Sequence, residues 1–348
     1  MNKFKAFLDH FSVGRIILMG ISLFFLILFL FVSAYKQHMI TSFSDQQAYK
    51  RWNENGTAAQ VSAFFKKEIS VDERQIESFR HQVEASLQEA AIVKENAGRL
   101  FVDAYSSLGK ITVVSEMDSL EARAVGIGGD FFLFHQLKLV NGSYFSGNDL
   151  MKDSIIIDEE AAWKLFGSSD VAGMSVMIGG TPHYITGVIQ RETGRLAESA
   201  GLNESVVYVS HETLSAYGNC EGISSYELLA PNPVKGFAKG LLLEKFGFNE
   251  TEMIVVENST RFSMEALIPV ILDFGIRSMQ TSAVSYPYWE NMARGCEDIC
   301  AAFLFLQIIC LLIPAVMIVV VLWKSRKRIK NQTFELIKGI NKKRRIIG

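Results

Sequence analysis

Two long uncharged stretches constrain this chain more than any other feature. From Ile16 to Tyr35 the sequence runs twenty residues without a charge, IILMGISLFFLILFLFVSAY. From Ile299 to Trp323 it runs twenty-five, ICAAFLFLQIICLLIPAVMIVVVLW. A bilayer hydrocarbon core of about 30 Å needs roughly 20 apolar residues of helix, so each stretch is long enough to cross it. Buried helices of soluble proteins are rarely so long and so uniformly apolar. The first stretch has a competing reading as a cleaved signal peptide, because Val32-Ser33-Ala34 resembles a cleavage site. Its apolar run exceeds the roughly 7–15 residues usual there, and an uncleaved anchor is the expectation.

Flanking charge sets the orientation. Residues 1–15 carry Lys3, Lys5 and Arg15 against Asp9, and residues 324–348 carry ten Lys and Arg against Glu335 alone. Short basic flanks stay in the cytoplasm, so both termini are expected inside and residues 36–298 outside. The outer part then holds 22 Lys/Arg against 35 Asp/Glu, a net charge of −13 that the whole-chain value of −2 conceals. So acidic a domain argues against nucleic acid as a partner. The basic tail at 324–348 reads as a topology determinant that also lies against membrane lipid.

Within 36–298, residues 36–69 are polar apart from VSAFF and suggest a stalk. Ser70 with Glu73 fits a capping box. Ile76, Phe79, Val83, Leu87 and Ala91 then share one face of a helix over about 72–91. KITVVSE and EARAVGI read as two strands joined through MDSL. Glycine-punctuated short strands over about 125–215 suggest a β-rich lobe. SYELLA, a helix opening at Asn232-Pro233 and stopping at Gly247, and EMIVVEN give a βαβ unit. That unit mirrors the helix-strand-strand unit at 72–127, so two halves are expected to pack around an inserted β-rich lobe. Tyr286, Tyr288 and Trp289 fit an aromatic belt at the outer membrane interface, with Trp323 at the inner one and Pro314 as a kink in the second span.

Asp158, Glu159 and Glu160 follow the strand SIII and are the most metal-like group in the chain. Three acids in one helical turn point in different directions, however. Asp158 can cap the helix amides and both glutamates favour the positive end of its dipole, so the triplet reads as architecture. GIGGD at 126–130 matches neither phosphate-binding fingerprint and reads as a turn. His135, His183 and His211 are scattered and read as surface or strand histidines. Cys220, Cys296, Cys300 and Cys310 form neither a disulfide framework nor a zinc spacing. No catalytic motif is present, and no cofactor is expected.

GIGGDFFLFHQLKLVNGSYF and DSIIIDEEAAWKLFGSSDVAGMSVMIGGTPHYITGVI, within about 125–210, resemble the periplasmic core domain of MacB-type ABC transporter permeases. The likeness lies in the order of parts: paired aromatics and a glycine turn, then a strand, a short helix ending Leu-Phe-Gly, an Asp-x-x-Gly turn and a Gly-Val strand pair. The resemblance implies an α+β, two-lobed outer domain, a porter-like α/β lobe with an inserted β-rich lobe, between transmembrane helices at 16–35 and 299–323. It implies a non-catalytic membrane subunit whose outer domain moves with a separate ABC ATPase, and pairing with a second copy or a related permease chain. The family has four spans, and this chain ends after the second. FELIKGINKKRRII is similar to the family's ATPase-coupling segment, which marks Phe334, Glu335, Leu336, Ile337 and Ile340 as docking candidates; an ordinary basic tail is the simpler reading. The competing function is an ATPase-independent, membrane-anchored binding or scaffold protein of the cell envelope.

Overall fold

The computed structural model describes residues 13–52, 58–92, 99–249, 251–273 and 286–347. The chain divides into two compact units, residues 40–299 and the paired terminal segments 1–39 and 300–348.

Helix α1 (Val13–Ser42) opens the described chain, and a 3-10 turn (Ser44–Gln47) and α2 (Ala48–Trp52) follow it. Strand β1 (Ala58–Phe65) comes next, with every residue buried. The segment expected to be a stalk therefore contains a core strand. The period-2 alternation behind this is hidden, because both faces of the strand are covered. Helix α3 (Glu73–Glu89) buries Ile76, Phe79, Val83 and Leu87, as the spacing requires. Its capping box is Asp72 with Gln75, two residues later than Ser70 and Glu73: Asp72 Oδ1 accepts from the Gln75 amide and Gln75 Oε1 from the Asp72 amide.

Strands β2 (Val102–Val114) and β3 (Ser119–Gly129) form a long hairpin. The GIGGD glycines are the end of β3 and not a turn: a Cβ on Gly128 would stand 2.0 Å from the Tyr105 ring of β2, so a bare backbone is required there. The one-turn helix α4 (Phe131–Phe134), β4 (Lys138–Gly142), β5 (Ser154–Asp158), α5 (Glu159–Phe166), β6 (Ser175–Ile178) and β7 (Thr181–Gln190) follow. Then come α6 (Arg195–Ala200), β8 (Val206–Ser210), α7 (His211–Tyr217) and β9 (Asn219–Pro231). Helix α8 (Phe237–Lys245), strand β10 (Met253–Glu257) and helix α9 (Met264–Leu272) lead to α10 (Tyr288–Ile347). Helix α8 starts at Phe237, later than Asn232-Pro233, because Gly236 adopts the left-handed conformation and breaks the first turn.

Among the described residues ten strands form one mixed sheet, in the order β10-β1-β9-β2-β3-β8-β5-β7-β4, with β6 bridging β2 and β7. β1 and β2 both run antiparallel to β9, so they are parallel to each other across helix α3. β9 and β10 both run antiparallel to β1, so they are parallel across α8. The two βαβ units interleave, and α3 and α8 cover one face of that half over a core containing Phe79, Leu87, Tyr226, Leu241 and Phe246. The β-rich half has its own core around Ile155, Leu165, Ile178, Val188 and Leu214. The fold is thus α+β with two lobes, and one continuous sheet serves both.

In the other unit α1 and α10 pack through Tyr35 against Phe303, and Gln307 Nε2 donates to Ser33 Oγ at 2.7 Å. Among the described residues two helical stretches are long and apolar enough to cross a membrane, Ile16–Ser42 and Tyr288–Trp323.

Candidate functional site

The acidic triplet does structural work. Buried Asp158 caps α5 by accepting from the Ala161 amide at 2.7 Å and ties in β8 by accepting from the Val206 amide at 3.0 Å. Burial pushes its carboxyl up, and those two amides and Arg191 counter the shift. Glu160 turns outward to Lys164 and Arg191, which hold it below the usual carboxylate range, the Lys164 contact most strongly. Among the described residues no three His, Cys, Asp or Glu side chains group as a metal site.

Of the three histidines, His183 lies in strand β7, one of the two settings expected, and none is at the surface: all three are buried. His183 bonds Thr213, and His211 bonds Ser107 Oγ through Nδ1 at 2.9 Å. His211 is held down by burial. His135 has no exposed surface at all, and it belongs to a polar region of the interior.

That region starts from the alternation of β1. Ala59, Val61, Ala63 and Phe65 face the α3/α8 core, which sends Gln60 and Ser62 to the opposite face. The register sets Ser62 across from Glu227 of β9, and Ser62 Oγ donates to Glu227 Oε1 at 2.9 Å. The other Glu227 oxygen bonds His135 Nε2, and His135 Nδ1 stands 3.2 Å from Asp45 Oδ2, an ion-pair distance. Phe131 and Trp289 flank the imidazole, each at 4.5 Å between ring centroids. Burial alone would lower the His135 pKa. Glu227 and Asp45 outweigh it and push it up to about 10, so the ring is cationic at neutral pH.

The chain of contacts continues through Ser62. Asn258 Nδ2 donates to Ser62 Oγ at 2.7 Å, and Asn258 Oδ1 accepts from Arg261 at 3.1 Å. Buried Arg261 forks onto Glu290, at 2.8 and 2.9 Å, and reaches Glu297 through Nε at 2.5 Å. It also donates to Gln46 Oε1 at 3.2 Å. Burial opposes its charge, but Glu290 and Glu297 raise its pKa all the same. Arg294 completes the group by donating to Glu290 at 2.8 Å and lying 3.9 Å over the Tyr286 ring. On the other side Gln60 Nε2 donates to the Asp45 carbonyl at 2.6 Å, and Arg51 donates to the Leu133 and Phe134 carbonyls.

Four cations (Arg51, His135, Arg261, Arg294) thus meet four carboxylates (Asp45, Glu227, Glu290, Glu297). No nucleophile stands free among these residues. The arrangement is a tie: it joins the turn that follows α1, strands β1 and β9, the turn after β10 and the first three turns of α10. Beside it, a cleft of about 730 Å³ between β10 and α9 is lined by Lys239, Val256, Arg261, Val270, Asp273 and Glu297.

Two features of the sequence reading are corrected here. Tyr286 and Trp289 are buried in the outer domain, and Tyr288 Oη bonds Tyr208 Oη at 2.7 Å; these aromatics are core and not an interfacial belt. None of Asp45, Glu227, Arg261 or Glu290 stood out in sequence. The available signal was Gln60, Ser62 and Glu227 set inside otherwise apolar strands. Phe334, Glu335, Leu336, Ile337 and Ile340 lie on the backbone of α10, and their side chains fall outside the described residues.

A family profile described as "MacB-like periplasmic core domain" matches residues 16–234. The chain is 34% identical over 86 residues to macrolide export ATP-binding/permease protein MacB 2 of Aeromonas hydrophila, covering 24% of this chain and 13% of that protein. It is 32% identical over 78 residues to MacB of Chromobacterium violaceum, covering 22% and 12%. The chain therefore spans only about an eighth of the length of these relatives. The periplasmic region of MacB from Actinobacillus actinomycetemcomitans is 16% identical, with a TM-score of 0.39 over 58% of this chain and 89% of that one. The extracellular domain of the ABC-type transporter YknZ, from Gram-positive bacteria, is 18% identical, with a TM-score of 0.38 over 57% and 99%.

Proposed function

The chain belongs to the MacB-like periplasmic core domain family, and we propose that it is a non-catalytic membrane subunit of an ABC-transporter-like system. Its outer domain, residues 36–298, works outside the cell membrane, and both termini lie in the cytoplasm. A separate ABC ATPase drives it, docking on the tail around Phe334, Glu335, Leu336, Ile337 and Ile340, and it pairs with a second copy or a related permease chain.

The observation that supports this reading is the tie. Arg261 binds Glu290 and Glu297, and Glu297 stands two residues before the apolar run beginning at Ile299. Asp45 and Gln46 stand just past the end of α1. A displacement of either helix at its membrane entrance therefore pulls directly on β1 and β9, the second and third strands of the sheet. Stretching this network would strand buried charges, so it is stiff and passes motion on.

The test is a pull-down of the full-length chain in mild detergent beside a version truncated after Arg328, with partners identified by mass spectrometry. The expected result is a co-purifying ATPase that truncation removes. An ATPase absent from both preparations would overturn the reading in favour of an ATPase-independent envelope binding or scaffold protein.

A further inference from the structure

Helix α9 is apolar on both faces. Leu267 and Val270 are buried beneath it, while Met264, Ile268 and Leu272 are 61, 41 and 79% exposed. Those three fall at i, i+4 and i+8 and form one outward stripe. A helix apolar all round is normally covered on all sides. Residues at both ends of α9 share a cleft with Glu297. Three residues before its first turn, Arg261 is bonded to Glu297 at 2.5 Å. At its far end, Asp273 lines the same cleft as Glu297 and Arg261. Glu297 precedes Ile299 by two residues, about 3 Å of helical rise. The interfacial zone on each side of a bilayer is about 5–8 Å deep, so on the membrane-spanning reading of 299–323 Glu297 falls within it.

We propose that α9 is an interfacial helix that rests on the outer leaflet, with Met264, Ile268 and Leu272 in the boundary between headgroups and acyl chains. The inference rests on the membrane-spanning reading of α10 and on no other part of the proposed function. Ser263 caps the helix by accepting from the Ala266 amide at 3.2 Å, so the helix is formed before it meets lipid. Glu265 in its first turn is paired with Lys235, and Asp273 at its end shares the cleft with Lys239, so no basic patch accompanies the stripe, and the recognised surface is the apolar boundary of a zwitterionic bilayer and not an anionic headgroup. Contact at α9 gives the outer domain a foot beside the point where α10 enters the membrane, so that α10 moves against a supported base.

The test uses the full-length chain in phosphatidylcholine vesicles doped with a phosphatidylcholine that carries a diazirine near the acyl carbonyl, with adducts mapped by mass spectrometry. Adducts are expected on residues 264–272 as well as on the two apolar stretches. Labelled stretches with an unlabelled α9 would overturn the inference and leave the membrane reading intact; unlabelled stretches would overturn both. The variant Met264→Ser/Ile268→Ser/Leu272→Ser changes only exposed side chains and should reduce α9 adducts about tenfold or more while the spans stay labelled. Undiminished labelling in that variant would also overturn the inference.

Discussion

Replacing Arg261 with methionine tests the tie most directly. The substitution keeps much of the side-chain volume and removes the charge, which leaves Glu290 and Glu297 buried without the guanidinium that both contact. Arg294 still reaches Glu290 at 2.8 Å, which tempers the loss there. Each ion pair is worth up to about 4 kcal/mol at an effective dielectric of 20, but desolvation offsets much of that, and removing one partner of a buried pair costs about 3–5 kcal/mol. For a domain of this size each kcal/mol moves the melting temperature by about 2–4 °C, so a fall of about 6–20 °C is expected. Circular dichroism of the protein in detergent would measure it. The deficit should be pH-dependent with a definite sign. A carboxylate stripped of its cation has its folded pKa raised, so the penalty is absent below the unfolded value of about 4.3 and grows as pH rises through the raised folded value. The additional changes Glu290→Gln and Glu297→Gln should recover at least half of the loss. A fall under about 2 °C, or no recovery in the triple variant, would refute the view that these charges hold the domain base together.

Two other buried groups, His135 and Asp158, give further predictions. The His135 pKa is raised to about 10 in the fold, above its ordinary value of 6.5, so its stabilising contribution is complete below about pH 6.5 and is lost as pH rises through about 10. Denaturation midpoints should fall across that window, and His135→Leu should be less stable at pH 6 and lack the alkaline decline; a wild-type midpoint flat to pH 10 would contradict this. Asp158→Ala should cost about 2–3 kcal/mol, from the lost cap and the orphaned Val206 amide, while magnesium or calcium leaves the wild-type midpoint unchanged. A metal-dependent midpoint abolished by the substitution would make the triplet a metal site.

Much of this protein is determined locally and could be read from its sequence. The two apolar runs, the charge asymmetry around them, the spacing of Ile76, Phe79, Val83 and Leu87, and the helix from Glu159 to Phe166 stopped by Gly167 each express a rule that acts within a few residues. The recurring order of strand, short helix and glycine turn near 154–190 also carried the family. Where local rules competed, the reading slipped: Gly236 delayed α8, and β1 was hidden because burial on both faces erases alternation. The tie is another matter. Asp45 meets His135, His135 meets Glu227 and Gln46 meets Arg261 across 90, 92 and 215 residues of sequence. A charge in a loop and a charge in a buried network are the same letter, and what separates them is the position of partners that only the sheet register brings together. Local propensity and hydropathy determined which segments are helices, strands and spans, but tertiary structure alone decided which polar groups would be buried together, because that depends on distant chain segments closing around one point.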